Sequence, residues 1–261
     1  FQVSTQGQNN DRLTNLLTGT RATSWPDSNS AYSYLSFFFR GEYNYKDLYY
    51  AEVAARTDAS SRFGADHRWG MFWSLGFMWN IKNEAFLKDI EWLTSAQVKL
   101  STGTSGNSEI PYYDHLALVS GDANYNDEAG IYPSQSGNEE LSWEQTWANN
   151  VGVSFGLYNR VNVNVDFYHK KTTNMLMLVP QSYAITGVGN RWDNIGAMMN
   201  RGVEIAIDGD VIRTKDFTWN LSANVSYNKN KLLELYNGVE EYVNSTTGLK
   251  YVVGHSVREY F

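Results

Sequence analysis

Residues 69–81 read WGMFWSLGFMWNI, and their side-chain types alternate with a period of two. The odd positions form a wholly apolar set: Trp69, Met71, Trp73, Leu75, Phe77, Trp79 and Ile81. The even positions are mostly small or polar: Gly70, Phe72, Ser74, Gly76, Met78 and Asn80. Because successive side chains of a strand point to opposite faces, this stretch is predicted to be a long β-strand with one apolar face.

The same period recurs along the chain and predicts about eight long strands. Their expected ranges are 32–45, 48–58, 69–81, 92–103, 143–157, 160–172, 199–213 and 217–229. Short turns are expected at 44–47, 158–159 and 214–216, and a slightly longer one near 82–89. Long loops are expected at 59–68, about 104–142, about 173–198 and from 230 onward. Short and long connections therefore alternate along the chain.

Composition excludes several classes of protein. The 261 residues carry a net charge of −7, which argues against nucleic acid as the main partner. The absence of cysteine excludes disulfides, thiolate metal sites and thiol nucleophiles. The sequence has no run of 18 apolar residues, so it does not predict a transmembrane helix.

Both ends look cut, so the chain is expected to be a piece of a longer protein.

Strand length separates the two folds that alternation alone allows, a soluble β-sandwich and a membrane β-barrel. Soluble strands usually have about 5–6 residues, whereas thirteen residues at about 3.3 Å each reach roughly 43 Å. Tilted by about 40°, such a strand covers roughly 33 Å of height, enough for an apolar band of about 25 Å. Aromatic residues toward the strand ends and the alternation of short turns with long loops are also typical of outer-membrane barrels.

The sequence therefore favours an all-β fold that forms part of a large antiparallel transmembrane β-barrel, with short periplasmic turns and long extracellular loops. A soluble extracellular β-sandwich ligand-binding module is the alternative. In the barrel, an apolar set is expected to face lipid: Met71, Trp73, Leu75, Phe77, Val163, Val165, Leu221 and Val225. Asn162, Asn164, Asn220 and Asn224 should point into the barrel, and the expected lumen-facing charged residues are Glu42, Glu52, Arg56, Asp166, Glu204 and Asp208.

Several motifs, in their order along the chain, resemble SusC/RagA-type TonB-dependent outer-membrane transporters. RTDASSRFGADHRWGMFWSLGFMWNIKNEAF at 56–86 resembles the R-x-D-x-S-S-R-F-G…R-W-G-x-F-x-S signature of that family, with Trp73 where the family usually has Pro. VKLSTGTSGNSEI from Val98 is similar to K-x-R-x-S-x-G-x-x-G-N, with Ser101 where Arg is common. LSWEQTWANNVGVSFGLYNRVNVNVDFYHKKTTNML at 141–176 and NIGAMMNRGVEIAI at 194–207 resemble two further elements, so the likeness spans about Ser33 to Gly254.

The resemblance implies a barrel of about 22 strands with a plug in its lumen. It implies that residues 1–261 form one partial barrel domain, without the plug, the first strands and the last strands. The whole protein would import oligosaccharides or peptides through the outer membrane of a Gram-negative, Bacteroidetes-like bacterium. Its partners would be membrane lipid, a SusD-like surface lipoprotein and TonB, which would act through the missing plug region. No enzymatic activity is expected.

Aromatic residues of the long loops are the candidate substrate contacts: Tyr112, Tyr113, Tyr125, Tyr132, Tyr183 and Trp192. Exposed rings stack on sugars and apolar ligand faces, but they equally pack a loop onto its neighbours. Asp122, Asn124 and Asn126 resemble part of a Ca²⁺ loop, although Asp127 and Pro133 replace the Gly and Glu that an EF-hand needs. No cofactor is expected apart from a calcium ion at this loop. The four histidines share no metal-ligand spacing, and G-x-S-x-G at 152–156 lies inside a predicted strand, not at a nucleophile turn.

Overall fold

The computed structural model describes residues 5–6, 21–22, 30–125, 128–243, 248–257 and 259. Its strands, in chain order, are β1 Thr5–Gln6, β2 Arg21–Ala22, β3 Tyr34–Tyr45, β4 Tyr49–Ser60, β5 Trp69–Trp79, β6 Leu93–Asn107, β7 Leu118–Tyr125, β8 Glu128–Gln135, β9 Glu144–Leu157, β10 Val161–Thr173, β11 Leu176–Pro180, β12 Asn190–Asn194, β13 Ala197–Arg213, β14 Thr218–Glu234, β15 Glu241–Val243 and β16 Lys250–Val252. A single-turn helix, α1 Tyr183–Thr186, lies between β11 and β12, and short 3₁₀ turns occupy Ile81–Asn83 and Tyr236–Gly238.

Eight long strands form one antiparallel sheet in the order β3-β4-β5-β6-β9-β10-β13-β14. Each strand of this sheet, here named the wall, therefore pairs with the long strand that follows it in the chain. The strands have 11 to 17 residues and coincide with the eight predicted ones to within a few residues. The predicted long-stranded antiparallel fold is confirmed.

Tight turns close one end of the wall. Both central residues of the β3–β4 turn, Lys46 and Asp47, have φ of 55°, and Tyr158 and Asn159 between β9 and β10 have φ of 53° and 52°. Two consecutive positive φ values are the geometry of hairpin turns that follow the twist of the strands. The β13–β14 turn lies at the same end, because the strands alternate in direction, and the long connections lie at the other end. This confirms the predicted separation of turns and loops.

The two faces of the wall carry different side chains. On the apolar face, six of the eight residues predicted to face lipid are exposed, from Trp73 at 37% to Met71 and Val225 at 69%, whereas Val163 and Val165 are half-buried. Among the described residues no second sheet covers this face, which a β-sandwich would require. The sandwich alternative is therefore wrong. No helix of the described residues is long and apolar enough to span a membrane.

The main hydrophobic core lies at the loop end. Phe63, Phe72, Ile110, Leu141 and Trp143 form a buried cluster, and Leu176 and Trp192 pack against it. All except Phe72 belong to four loop segments, 61–68, 108–117, 136–143 and 174–196, which are here named the loop cap. Phe72 is on the polar side of β5, so the loop cap packs over the polar face of the wall.

Candidate functional site

The register of the wall places all six predicted charged residues on its polar face. Residues directly opposite each other on antiparallel strands share a face. Glu42 lies opposite Glu52, Asp166 opposite Glu204, and Asp208 opposite Asn162. Rows of such pairs connect the strands: Glu52 continues through Gly76, Ser101, Asn150 and Tyr168 to Gly202. Arg56 is four residues from Glu52 on β4 and shares the same face. The four predicted inward asparagines, Asn162, Asn164, Asn220 and Asn224, also lie on this face.

The two carboxylate pairs of the polar face differ in their surroundings. Arg40 bridges Glu42 and Glu52, with nitrogen–oxygen distances of 2.5 Å and 3.2 Å. No basic side chain of the described residues forms an ion pair with Asp166 or Glu204. Like charges directly opposite each other are destabilising, and no ion pair among the described residues offsets the repulsion between Asp166 and Glu204.

Glycines let polar side chains lie flat on this part of the wall. A Cβ at Gly152 would clash with the Oδ1 of Asp166, and one at Gly202 would come within 2.5 Å of the hydroxyl oxygen of Tyr168. The Tyr168 hydroxyl donates a hydrogen bond of 3.0 Å to the Oδ1 of Asn228. The result is a concave region of about 600 Å³, lined by Lys99, Leu100, Ser101, Asn150, Gly152, Asp166, Tyr168, Lys170, Asn200, Glu204 and Asn228. Its amides, hydroxyls and charges of both signs can bind a hydrated polar ligand.

Side-chain hydrogen bonds hold the loop cap together over long sequence separations. The Asn138 side-chain amide donates to the backbone oxygen of Trp192 at 3.0 Å. The Oδ1 of Asn194 accepts from the backbone nitrogen of Ser142 at 2.7 Å, and its Nδ2 donates back to the Ser142 carbonyl at 2.8 Å. The indole nitrogen of Trp143 donates to the Arg68 carbonyl at 2.8 Å. These contacts make the four loop segments one packed unit.

Arg62 joins this unit to the start of the wall. Its guanidinium donates to the Ser108 carbonyl at 3.0 Å and lies 5.2 Å from the ring centre of Tyr32 and 5.1 Å from that of Tyr112. The two rings stack with centroids 4.9 Å apart. Tyr113 accepts a hydrogen bond from the backbone nitrogen of Ala31 at 2.8 Å. Sequence analysis gave Arg62 no such role, because its partners lie up to 50 positions away.

The candidate aromatic residues therefore fall into two groups. Tyr112 packs against Arg62 and Tyr32, and Trp192 packs against the buried cluster of the loop cap. Tyr113 is 37% exposed, but it contacts the Tyr112 ring and accepts the hydrogen bond from Ala31. Tyr132 on β8 and Tyr183 at the start of α1 are exposed, at 40% and 68%. Their contact with a ligand stays a prediction, as does that of the first group. The side chain of Tyr125 lies outside the described residues.

The calcium candidate falls on a hairpin. Asp122 and Asn124 belong to β7, which pairs with β8, so this part of the predicted long loop is a strand. Asn126 and the side chain of Asp122 lie outside the described residues. Within the described parts of the chain, no group of three acidic or histidine side chains could hold a metal ion. Calcium binding stays a prediction.

Asp114 is the titratable group of the loop cap with a displaced pKa. It is 8% exposed, and its Oδ2 has no hydrogen-bond partner. Burial raises the pKa of the carboxyl above its ordinary value, while His115 and a hydrogen bond from Trp192 oppose this rise. The cap therefore holds one carboxylate whose charge is unfavourable in the folded state.

Comparisons with known proteins agree with this architecture. The family model described as "TonB dependent receptor-like, beta-barrel" matches residues 2–258. TonB-dependent receptor P39 of Formosa agariphila is 38% identical over 219 residues, which are 84% of this chain and 20% of that protein. TonB-dependent receptor SusC of Bacteroides thetaiotaomicron is 35% identical over 216 residues, which are 78% of this chain and 21% of that protein.

A solved structure of the RagAB peptide transporter is similar to this chain with a TM-score of 0.82 and 37% identity, over 94% of this chain and 28% of that one. The chain spans about a fifth of the length of the curated relatives it matches. The match to the family model covers nearly the whole chain, and the long-stranded sheet has the expected topology. The chain therefore belongs to the TonB-dependent receptor β-barrel family, whose members are outer-membrane transporters and not enzymes, and it forms part of a barrel wall.

Proposed function

We propose that the whole protein is a TonB-energised importer of large nutrients and that this chain lines part of its lumen with the polar face. The observation that carries this proposal is the contrast between the two faces of the wall. One face exposes large apolar side chains, as contact with hydrocarbon requires, and the other presents amides and charges to water. This chain would then contribute to transport by hydrating and contacting the cargo, with no covalent step.

We further propose that the cargo is an oligosaccharide or a peptide, and that a SusD-like surface lipoprotein works with the barrel. Similarity to a RagAB peptide transporter supports the peptide class, and the resemblance to SusC/RagA-type transporters implies both classes. Long segments at the loop end, including the β7–β8 hairpin and the exposed ring of Tyr183, would receive the cargo. TonB would act through a plug region outside this chain. A calcium ion near Asp122, Asn124 and Asn126 is a further proposal.

Uptake by cells that express the full-length protein tests the function. A deletion strain is supplied with fluorescent maltoheptaose or with a fluorescent octapeptide, with and without dissipation of the proton-motive force. Energy-dependent uptake of one cargo that is lost in the deletion strain and restored by the gene supports the proposal. Equal uptake in the deletion and complemented strains for both cargo classes contradicts it. A Tyr183→Ala variant then tests the loop contact, and Tyr158→Ala, at the opposite end of the wall, is the matched control.

A further inference from the structure

The charged residues on the apolar face are basic with one exception. The chain as a whole has 28 acidic and 21 basic residues, and its polar face carries both signs. On the apolar face of the eight wall strands, as the structure describes them, one carboxylate, Glu234, lies opposite Ala197 at the loop end of β14. The other side chains of this face that carry or can gain a charge as cations are His169, Lys171, Arg201, Lys229 and Lys231. These five residues are here named the basic belt. In a chain with an excess of acidic residues, a face with five basic side chains and one carboxylate is a selective distribution.

The register gathers the basic belt into two adjacent rows on three strands. Arg201 of β13 lies directly opposite His169 of β10 and directly opposite Lys229 of β14. Lys171 and Lys231 lie opposite Met199 in the next row toward the loops. All are exposed except Lys231, which is half-buried. Five side chains from three strands thus form one patch.

Aromatic residues mark the depth of this patch in the membrane. Phe167 and Tyr227, both more than half exposed, flank Val203 in the row immediately on the turn side of Arg201. Trp219 and Tyr227 bracket the apolar stretch of β14, and eight residues at about 3.4 Å each separate them by roughly 27 Å. A tilt of about 40° reduces this to roughly 21 Å of height, close to an apolar band of about 25 Å between aromatic girdles. The basic belt therefore lies at headgroup level on the loop side, which is the outer side of such barrels.

The basic belt is not neutralised by ion pairs in the described part of the chain. None of its members forms an ion pair there. Arg201 and Lys229, as like charges directly opposite each other, destabilise the sheet unless an anion lies between them. Guanidinium and ammonium groups donate strong charge-assisted hydrogen bonds to phosphate oxygens. At this depth, the anions that reach the lipid-facing surface are lipid headgroups.

We propose that the basic belt is a binding site for phosphate-bearing lipid headgroups of the outer leaflet. The phosphate would lie against Arg201 and Lys229, with Lys171 on its loop side, and the acyl chains would cover Phe167, Val203 and Tyr227. This assignment goes beyond the transport function and does not depend on the cargo. It gives the apolar face a chemically selective contact in addition to its general affinity for hydrocarbon.

Lipid binding to the full-length transporter, purified in a neutral detergent, tests the proposal. The probes are lipid A with two phosphates and the same lipid after dephosphorylation, and native mass spectrometry counts the bound lipid. We expect the phosphorylated lipid to bind much more tightly to the wild type. The triple variant Lys171→Gln, Arg201→Gln, Lys229→Gln should lose this preference by on the order of 100-fold, at about fivefold for each cation removed near the membrane surface. The preference should also fall as the NaCl concentration rises.

Two control variants keep the result interpretable. Lys99→Gln combined with Lys170→Gln removes two cations from the polar face, one of them next to Lys171 in sequence, and should keep the preference. Arg201→Lys retains the charge and should keep most of it. The proposal is overturned if the triple variant retains the preference, or if the polar-face variant loses it equally. Displacement of the lipid by millimolar inorganic phosphate would also overturn it, since the site would then bind a free anion and not a headgroup.

Discussion

The wall and the loop cap use the same residue types in opposite ways. In the loop cap, Phe63 and Leu141 are fully buried. In the wall, Phe37 is 58% exposed and Val225 is 69% exposed, although both are strand residues in regular pairing. The loop cap is therefore packed like the core of a soluble protein. The wall instead has an apolar surface that the described part of the protein does not cover and that lipid would cover.

The wall and the loop cap are therefore stabilised by different forces. The wall depends on continuous inter-strand hydrogen bonding and on lipid, since no protein layer covers its apolar face in the described residues. The cap depends on burial of side chains and on satisfied polar groups such as Asn138 and Asn194. Substitutions should therefore have effects that depend on the region more than on the residue type.

The largest expected effect is a cavity in the cap. Phe63→Ala removes a completely buried ring that lies 5.4 Å from the ring centre of Trp143, and it should cost about 3–5 kcal/mol of cap stability. Phe37→Ala is the matched control in the wall, where the exposed ring makes fewer protein contacts, and its cost in detergent should be much smaller. Hydrogen exchange of residues 108–117 and 136–143 in the full-length transporter measures the difference. Similar protection in both variants would show that the cap is not a packed unit.

An arginine on the apolar face should have the next largest effect. Leu75→Arg should cost about 2–4 kcal/mol of refolding free energy in lipid vesicles, because a guanidinium is not hydrated in hydrocarbon. Ser74→Arg points to the polar face and should cost much less. Trp69→Arg, at the interface, should add only about 0–1 kcal/mol to the loss of the ring contacts. Each variant is measured in the full-length transporter.

The informative result of this test is how the cost of an arginine depends on its depth in the membrane. A soluble core would also resist Leu75→Arg, so the position of the maximum at mid-strand is the informative result. Equal costs at Leu75 and Ser74 would mean that the two faces are misassigned. A cost at Trp69 as large as that at Leu75 would mean that the apolar face is not covered by a bilayer.

Sequence patterns predicted the wall but not the cap, and the reason is physical. A strand that crosses a membrane must alternate over its full length, so the odd and even positions of 69–81 report its two faces directly. The hairpin of β11 and β12 gave no such signal, because it has only five residues a strand and contains Pro180. The pairs Asn138–Trp192 and Ser142–Asn194 join residues more than 50 positions apart, and no local pattern encodes such contacts. The candidate tyrosines were assigned by residue type alone, which does not separate the packed Tyr112 from the exposed Tyr183.

Glycines on the polar face should give a smaller effect, which differs between two positions of the same row. A Cβ at Gly202 would clash with the carbonyl oxygen of Tyr227 and the Tyr168 hydroxyl, so Gly202→Ala should cost about 1–3 kcal/mol. Gly76 lies in the same row, but its Cβ would meet only the Glu52 Cβ at 3.6 Å. Gly76→Ala should therefore stay within about 0.5 kcal/mol of the wild type. Refolding in vesicles measures both variants, and a cost at Gly76 equal to that at Gly202 would contradict the close approach of the Tyr168 hydroxyl to Gly202.

The smallest expected effect concerns Asp114 and the pH dependence of the cap. Because burial raises the pKa of this carboxyl in the folded state, the folded cap binds a proton more tightly than the unfolded one does. Its contribution to stability is therefore fully present below the unfolded pKa, near 3.8, and is lost as pH rises through the raised folded pKa. The Asn side chain of Asp114→Asn is neutral at every pH, so the variant does not lose this stability as the pH rises. The variant cap should therefore be more resistant to proteolysis than the wild-type cap at pH 7.

The difference between Asp114→Asn and the wild type should shrink as the pH falls, because the wild-type carboxyl is then neutral as well. The hydrogen bond from Trp192 persists in the variant, since an amide oxygen accepts it as a carboxylate does. Limited proteolysis of residues 108–143 in the full-length transporter, at pH 5 and pH 7.5 with an intact-protein control, measures the effect. A variant that is less stable than the wild type at pH 7.5 would mean that the Trp192 and His115 interactions outweigh burial, so the Asp114 charge would then stabilise the cap.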